Sequence, residues 1–128
     1  MKAIVERFDT IISVDSSNPT VMTESARLGA GLLNDVRGFS REGALEAAAD
    51  TGLAGCVMHM QGQPDTMPVT PDYVDLSAYI TGFFEERVRT RSLAGVSRDR
   101  IILDPGFGFG KTAEHNFRML ARLNELVY

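Results

Sequence analysis

Four apolar runs of the chain each stop at a side chain that can do chemistry. Ile11-Ile12-Ser13-Val14 ends in Asp15, and Gly31-Leu32-Leu33 ends in Asn34 and Asp35. Ala54-Gly55-Cys56-Val57 ends in Met58 and His59, and Arg100-Ile101-Ile102-Leu103 ends in Asp104. A carboxylate accepts two parallel hydrogen bonds from an amino group and an adjacent ring N–H, while an amide offers donor and acceptor to neighbouring ring atoms. A thioether packs on an aromatic face. Two carboxylates, an amide and a thioether around one space therefore suit a flat heterocycle with a donor–acceptor edge. The alternative use of Asp and Asn at such places is local, to tie down the turn that follows.

These groups meet only if the runs are strands of one sheet. Alternation along a strand places Asp15 on the face of Ser13, Asn34 with Leu32, Met58 with Cys56, and Asp104 with Ile102. Between the runs lie helical patterns. Asn18-Pro19 reads as an N-cap and first helical residue, followed by Val21, Ser25 and Leu28 up to a stop at Gly29. Ser40 is expected to cap a helix through Leu45, Ala48 and Ala49 to Gly52, and Asp72 a long one with Leu76, Ile80, Phe83 and Phe84 inward, ending near Gly95. Gln61 to Pro71 reads as a Gly/Pro/Asp-rich loop. Thr112 to Tyr128 is expected to be helical, with Phe117, Leu120 and Leu123 on one side. Strand–helix alternation at this spacing predicts an α/β fold with parallel strands and crossover helices, and the nearly continuous apolar strands predict a sheet covered on both faces.

The segment Asp104-Pro105-Gly106-Phe107-Gly108-Phe109-Gly110-Lys111-Thr112 excludes two phosphate motifs. A Walker A loop needs glycine where this chain has Pro105, and the dinucleotide fingerprint needs glycine where it has Lys111. Alternating Gly and Phe instead gives a tight backbone with two aromatic side chains at the end of a strand. Cys56 and His59 lack the second ligand pair that a structural zinc site requires, and His115 is distant in sequence. Cys56 is read as a small core residue and His59 as a packed histidine.

The chain has 128 residues, 44% hydrophobic and 23% charged, with 17 acids against 13 Lys plus Arg and a net charge of −4. Those proportions belong to a globular protein. Nucleic-acid binding needs a basic face, and the only basic cluster, Arg87, Arg89 and Arg91, alternates with acids and reads as a solvated helix face. No run approaches the roughly 18 apolar residues of a membrane span, and the N-terminus lacks a secretory pattern. A lone cysteine, Cys56, forms no intrachain disulfide and fits a reducing cytoplasm.

Taken in order, Ile12-Ser13-Val14-Asp15, Asn34-Asp35, Met58-His59-Met60-Gln61-Gly62 and Leu103-Asp104-Pro105-Gly106-Phe107-Gly108-Phe109-Gly110-Lys111 resemble the dihydropteroate synthase family. The resemblance covers essentially the whole chain. It implies a partial (β/α)8 barrel, with residues 1–128 as one pterin-binding unit spanning the third to sixth strands. The implied reaction joins a pterin methyl pyrophosphate to p-aminobenzoate, releasing pyrophosphate and forming 7,8-dihydropteroate for folate synthesis. By resemblance, Asp15, Asn34 and Asp104 hydrogen-bond the pterin, Met58 packs on its ring, and Gly108 and Phe109 line the pocket toward p-aminobenzoate. Asp15 and Asp104 also favour the positive charge of an ionising displacement. The family uses Mg²⁺ on the leaving pyrophosphate, with ligands expected outside this chain.

Full members have eight strands, so the chain alone is expected not to catalyse synthesis. Open strand edges and an uncovered inner face invite association, including a homodimer. Three alternatives stay open: a methyltetrahydrofolate-dependent methyltransferase of similar barrel type, a non-catalytic half-barrel that binds pterin or self-associates, and an α/β domain whose polar strand ends only build turns.

Overall fold

Asn18 and Pro19 open their helix as the sequence predicts. In the computed structural model, which describes residues 1–61 and 75–126, the Asn18 side chain accepts hydrogen bonds from Thr20 N and Val21 N, and Pro19 is the first helical residue. The elements run α1 (Lys2–Val5), β1 (Ser13–Asp15), α2 (Pro19–Arg27), β2 (Leu32–Asp35), α3 (Ala44–Thr51), β3 (Ala54–Met58), α4 (Leu76–Leu93), β4 (Ile101–Asp104) and α5 (Ala113–Ala121). Short 3-10 turns at Arg98–Arg100 and Leu123–Leu126 precede β4 and follow α5. The four strands form one parallel sheet in the order β1-β2-β3-β4, each pair joined through a helix.

One face of this sheet is the core. Leu33 and Val57, from β2 and β3, are buried against Met22 of α2 and Ala44, Ala47 and Ala48 of α3, with Phe39 completing the cluster. The three alanines allow α3 to lie close to the sheet. A second cluster joins Leu76, Ile80 and Phe84 of α4 to Met119 of α5 and Leu126, with Leu103 of β4 packed beside it. Fully burying each large apolar side chain contributes about 1.5–3 kcal/mol. The opposite face is open, against the expectation of a sheet covered on both faces: Ser13 and Asp15 are exposed, and Ile102 keeps 47% of its surface accessible.

Four further expectations need correction. Ser40 does not cap α3; its N–H instead bonds to Arg37 O in a turn, and the helix starts later, behind Gly43 at φ +76°. Asp72 lies outside the described residues, and α4 is capped by Asp75, whose carboxylate accepts from Ala78 N. The basic cluster on α4 is not a uniformly solvated face: Arg89 is exposed, Arg87 lies over the Phe83 ring, and Arg91 is 1% exposed. Helix α5 ends at Ala121, and Phe117, Leu120 and Leu123 are exposed while Met119 points inward. Leu76, Ile80 and Phe84 are buried on α4 as expected. No helix among the described residues is long and apolar enough to cross a membrane.

Candidate functional site

Strand register decides which side chains share the open face. Asp15 pairs with Asn34, Asn34 with Cys56, and Cys56 with Ile102, so these four form one row across the sheet. Met58 pairs with Asp104 one row further toward the carboxyl ends. Residues two apart on a strand point the same way. The structure therefore brings Asp15, Asn34, Met58 and Asp104 onto one face, in two adjacent rows. Neighbouring strands lie about 4.8 Å apart, which sets the Asp15–Asn34 spacing to the scale of two edge atoms of a fused ring.

Two of these polar groups are not spent on turns. Among the described residues no hydrogen bond to the side chain of Asp15 or of Asn34 is formed by another part of the chain. The turn chemistry falls to Asp35, which points to the opposite face and is fully buried. Its carboxylate accepts from Arg37 N at 2.9 Å and Phe39 N at 2.9 Å, and from the Ser17 hydroxyl. Ser17 belongs to the loop after β1, so one carboxylate ties together the loops that follow Asp15 and Asn34. The sequence reading named Asp35 only as part of a strand end. Pleat alternation was the signal that separates it from Asn34.

Asp104 does both jobs. Its Oδ1 accepts from Gly106 N at 2.8 Å, which starts the following loop, and its other oxygen has no partner among the described residues. Gly106 takes φ +71°, and a Cβ there would collide with the carbonyl oxygen of His59, so only glycine fits. Gly108, at φ +81°, donates to Asn116 Oδ1 at 2.9 Å, and Phe107 and Phe109 stand exposed on either side. Lys111 closes the loop. Its buried ammonium donates to three backbone carbonyls: His59 at 3.1 Å, Gly106 at 3.0 Å and Phe109 at 3.0 Å. Burial pushes its pKa down to about 8, against the opposing pull of Asp104. Three converging carbonyls need three N–H donors, which the ammonium has and the neutral amine lacks.

Cys56 is half-buried in the row between Asn34 and Ile102. Burial, then Asp104 and more weakly Asp15, push its thiol up to about 11, with Arg91 pulling the other way. Both carboxylates thus act on the same sulfur, and the group stays a neutral thiol. His59 is fully buried, edge-on to Phe83 at 5.0 Å and Tyr79 at 5.4 Å, a packing role as the sequence suggests. Burial and then Lys111 hold its pKa down at about 3. Among the described residues no three His, Cys, Asp or Glu side chains converge to hold a metal ion.

A row of carboxylate and amide, a buried thioether one row further on, and a glycine–phenylalanine loop thus share the carboxyl end of one sheet face. The profile of the family described as "Pterin binding enzyme" matches residues 1–128. Dihydropteroate synthase of Escherichia coli (strain K12) is 50% identical over 125 residues, covering 98% of this chain and 44% of that protein. The Yersinia pestis dihydropteroate synthase, solved with a sulfonamide drug complex, superposes with a TM-score of 0.95 at 50% identity, over 98% of this chain and 46% of that one. The Xanthomonas albilineans enzyme in complex with 7,8-dihydropteroate gives 0.89 at 36% identity, over 98% and 45%. The chain thus spans about half the length of these relatives, and its four strands are an arc of the (β/α)8 barrel they share. Matched along its whole length by one profile, the chain belongs to the family of pterin-binding enzymes.

Proposed function

We propose that residues 1–128 supply the pterin half of a dihydropteroate synthase site, as one structural unit. The observation that carries this reading is the pair of unspent polar side chains, Asp15 and Asn34, side by side on the open face below Met58 and Asp104. In the proposed reaction the bond between the pterin methylene and the pyrophosphate oxygen breaks, and its electron pair leaves with pyrophosphate. The cation left behind is delocalised over the pterin. The amine of p-aminobenzoate attacks the methylene and then loses a proton to solvent. Asp15 and the free oxygen of Asp104 stabilise the cationic ring electrostatically. Asn34 reads the ring edge, Met58 covers a ring face, and Gly108 with Phe109 borders the p-aminobenzoate side. The complexes of relatives with 7,8-dihydropteroate and with sulfonamide support this assignment of small-molecule substrates. A cytoplasmic site of action and a homodimer built on the open edges belong to the same proposal.

The test is a chimera in which residues 1–128 replace the matching segment of the Escherichia coli enzyme. It is expected to release pyrophosphate only when p-aminobenzoate is present, while the chain alone shows no turnover above background. A chimera that folds and binds pterin but leaves p-aminobenzoate unconsumed would favour the non-catalytic reading. Turnover by the chain alone would overturn the division of labour proposed here.

A further inference from the structure

We propose that Lys111 is a positioning residue of the pterin pocket: by gripping the carbonyls of His59, Gly106 and Phe109, its ammonium holds the loop from Gly106 to Phe109 against the end of β3 that carries Met58. The proposal deepens the pterin-binding reading and rests on it. Its three anchors are divided between the end of β3 and that loop. The His59 carbonyl directly follows Met58 at the end of β3, whereas Gly106 and Phe109 bracket the loop that follows Asp104. That loop passes so close to β3 that Gly106 has no room for a Cβ beside the His59 carbonyl. Carbonyl oxygens forced this close carry like partial charges toward one another, and a cation at their centre turns that repulsion into attraction. The loop backbone, with Gly106, Gly108 and Gly110 all at positive φ, has little intrinsic preference for one shape. The lysine therefore selects the shape, and with it the placement of Gly108 and Phe109.

Geometry also distinguishes lysine from arginine here. An ammonium directs three N–H bonds from one atom, whereas a guanidinium spreads its donors in a planar fork. Charge alone is not enough to replace it.

The experiment uses the chimera described above, with Lys111→Met and Lys111→Arg. Affinity for 6-hydroxymethylpterin is measured by calorimetry, KM and kcat are measured for both substrates, and folding is checked by thermal melts. Both variants are expected to bind 6-hydroxymethylpterin at least tenfold more weakly and to raise both KM values more than they lower kcat. Wild-type affinity in either folded variant overturns the proposal. Should both variants fail to fold, ¹⁵N NMR of the unmodified chimera decides. The Lys111 Nζ resonance is expected to be protected from exchange and to shift when 6-hydroxymethylpterin is added; an unmoved resonance overturns the coupling. Failure of the unmodified chimera to bind 6-hydroxymethylpterin overturns both this proposal and the pterin reading, so the two failures are told apart.

Discussion

Arg91 is the residue whose replacement most sharply tests the packing described above. It projects from α4 beneath β3, 1% exposed, with its guanidinium 4.0 Å from the centre of the Phe39 ring. Its Nε, Nη1 and Nη2 find no hydrogen-bond acceptor among the described residues. Burial pushes its pKa down to about 10, with Asp35 and Cys56 opposing. A buried donor left unpaired costs about 1–3 kcal/mol; even at the low end, three such nitrogens cost roughly 3 kcal/mol. The stacking on Phe39 returns about 2 kcal/mol for a desolvated cation–π pair. Arg91→Met removes the unpaired donors, keeps the apolar stem, and replaces the stacking by a sulfur–aromatic contact of about 0.5–1 kcal/mol. The balance predicts a gain of about 1–2 kcal/mol, read by urea unfolding of the chimera, or a midpoint rise of roughly 2–4 °C per kcal/mol in a protein of that size. Gly55 supplies the second arm. A Cβ at this position would lie 2.9 Å from Arg91 Cζ and 3.0 Å from its Nη1. Gly55→Ala is therefore expected to cost about 1–3 kcal/mol with arginine present and much less with methionine, a coupling of at least about 1 kcal/mol. The reasoning is refuted if Arg91→Met destabilises the protein by more than about 1 kcal/mol, or if Gly55→Ala is equally damaging in both backgrounds.

Asp35→Asn keeps the shape of the side chain but removes the charge accepting from Ser17, Arg37 N and Phe39 N. It should cost about 2–4 kcal/mol in urea unfolding and weaken pterin binding through the two loops it joins. His59 is held neutral in the fold, with a pKa of about 3 against 6.5 when unfolded. The unfolded chain binds a proton first, so this contribution to stability is complete above pH 6.5 and is lost as pH falls toward 3. The loss is about 1.4 kcal/mol per pH unit. His59→Phe should flatten that part of the stability–pH curve, and an unchanged slope would count against the buried neutral imidazole. Asp15→Asn, at an exposed position, should leave the unfolding midpoint unchanged while lowering kcat/KM of the chimera by about 10²-fold.

The placement of the four strand ends was legible because a parallel strand announces itself by a short apolar run, and its last residues fall at a predictable end of the sheet. Asp15, Asn34, Met58 and Asp104 needed only the pleat to be placed on one face. What escaped the sequence was decided by tertiary contact. Asn34 and Asp35 are adjacent and chemically similar; the pleat puts them on opposite faces, and the packing of α2 and α3 decides which face is buried and so which of the two organises the turns. Ser40 carries the right hydroxyl for a cap, but the turn that Asp35 organises carries the chain past it to Gly43. Arg91 sits in a charge pattern that resembles a wetted helix face, and nothing local reveals the flat gap under Gly55 that admits a guanidinium. Lys111 carried no role in the sequence because its partners are backbone carbonyls, which leave no signature in side-chain pattern.

The Asn34-Asp35 step makes β2 intolerant of a shift in phase. Inserting or deleting one residue before it would rotate both side chains by half a pleat. The amide would then be driven under the helices, where the Ser17 hydroxyl and the Arg37 and Phe39 N–H groups are set to donate to a carboxylate, and the carboxylate would face outward in its place. Both loops would lose their common tether in the same event that changed the pocket's polarity. In this segment point substitutions leave the frame intact, whereas a change of length by a single residue scrambles recognition and folding together.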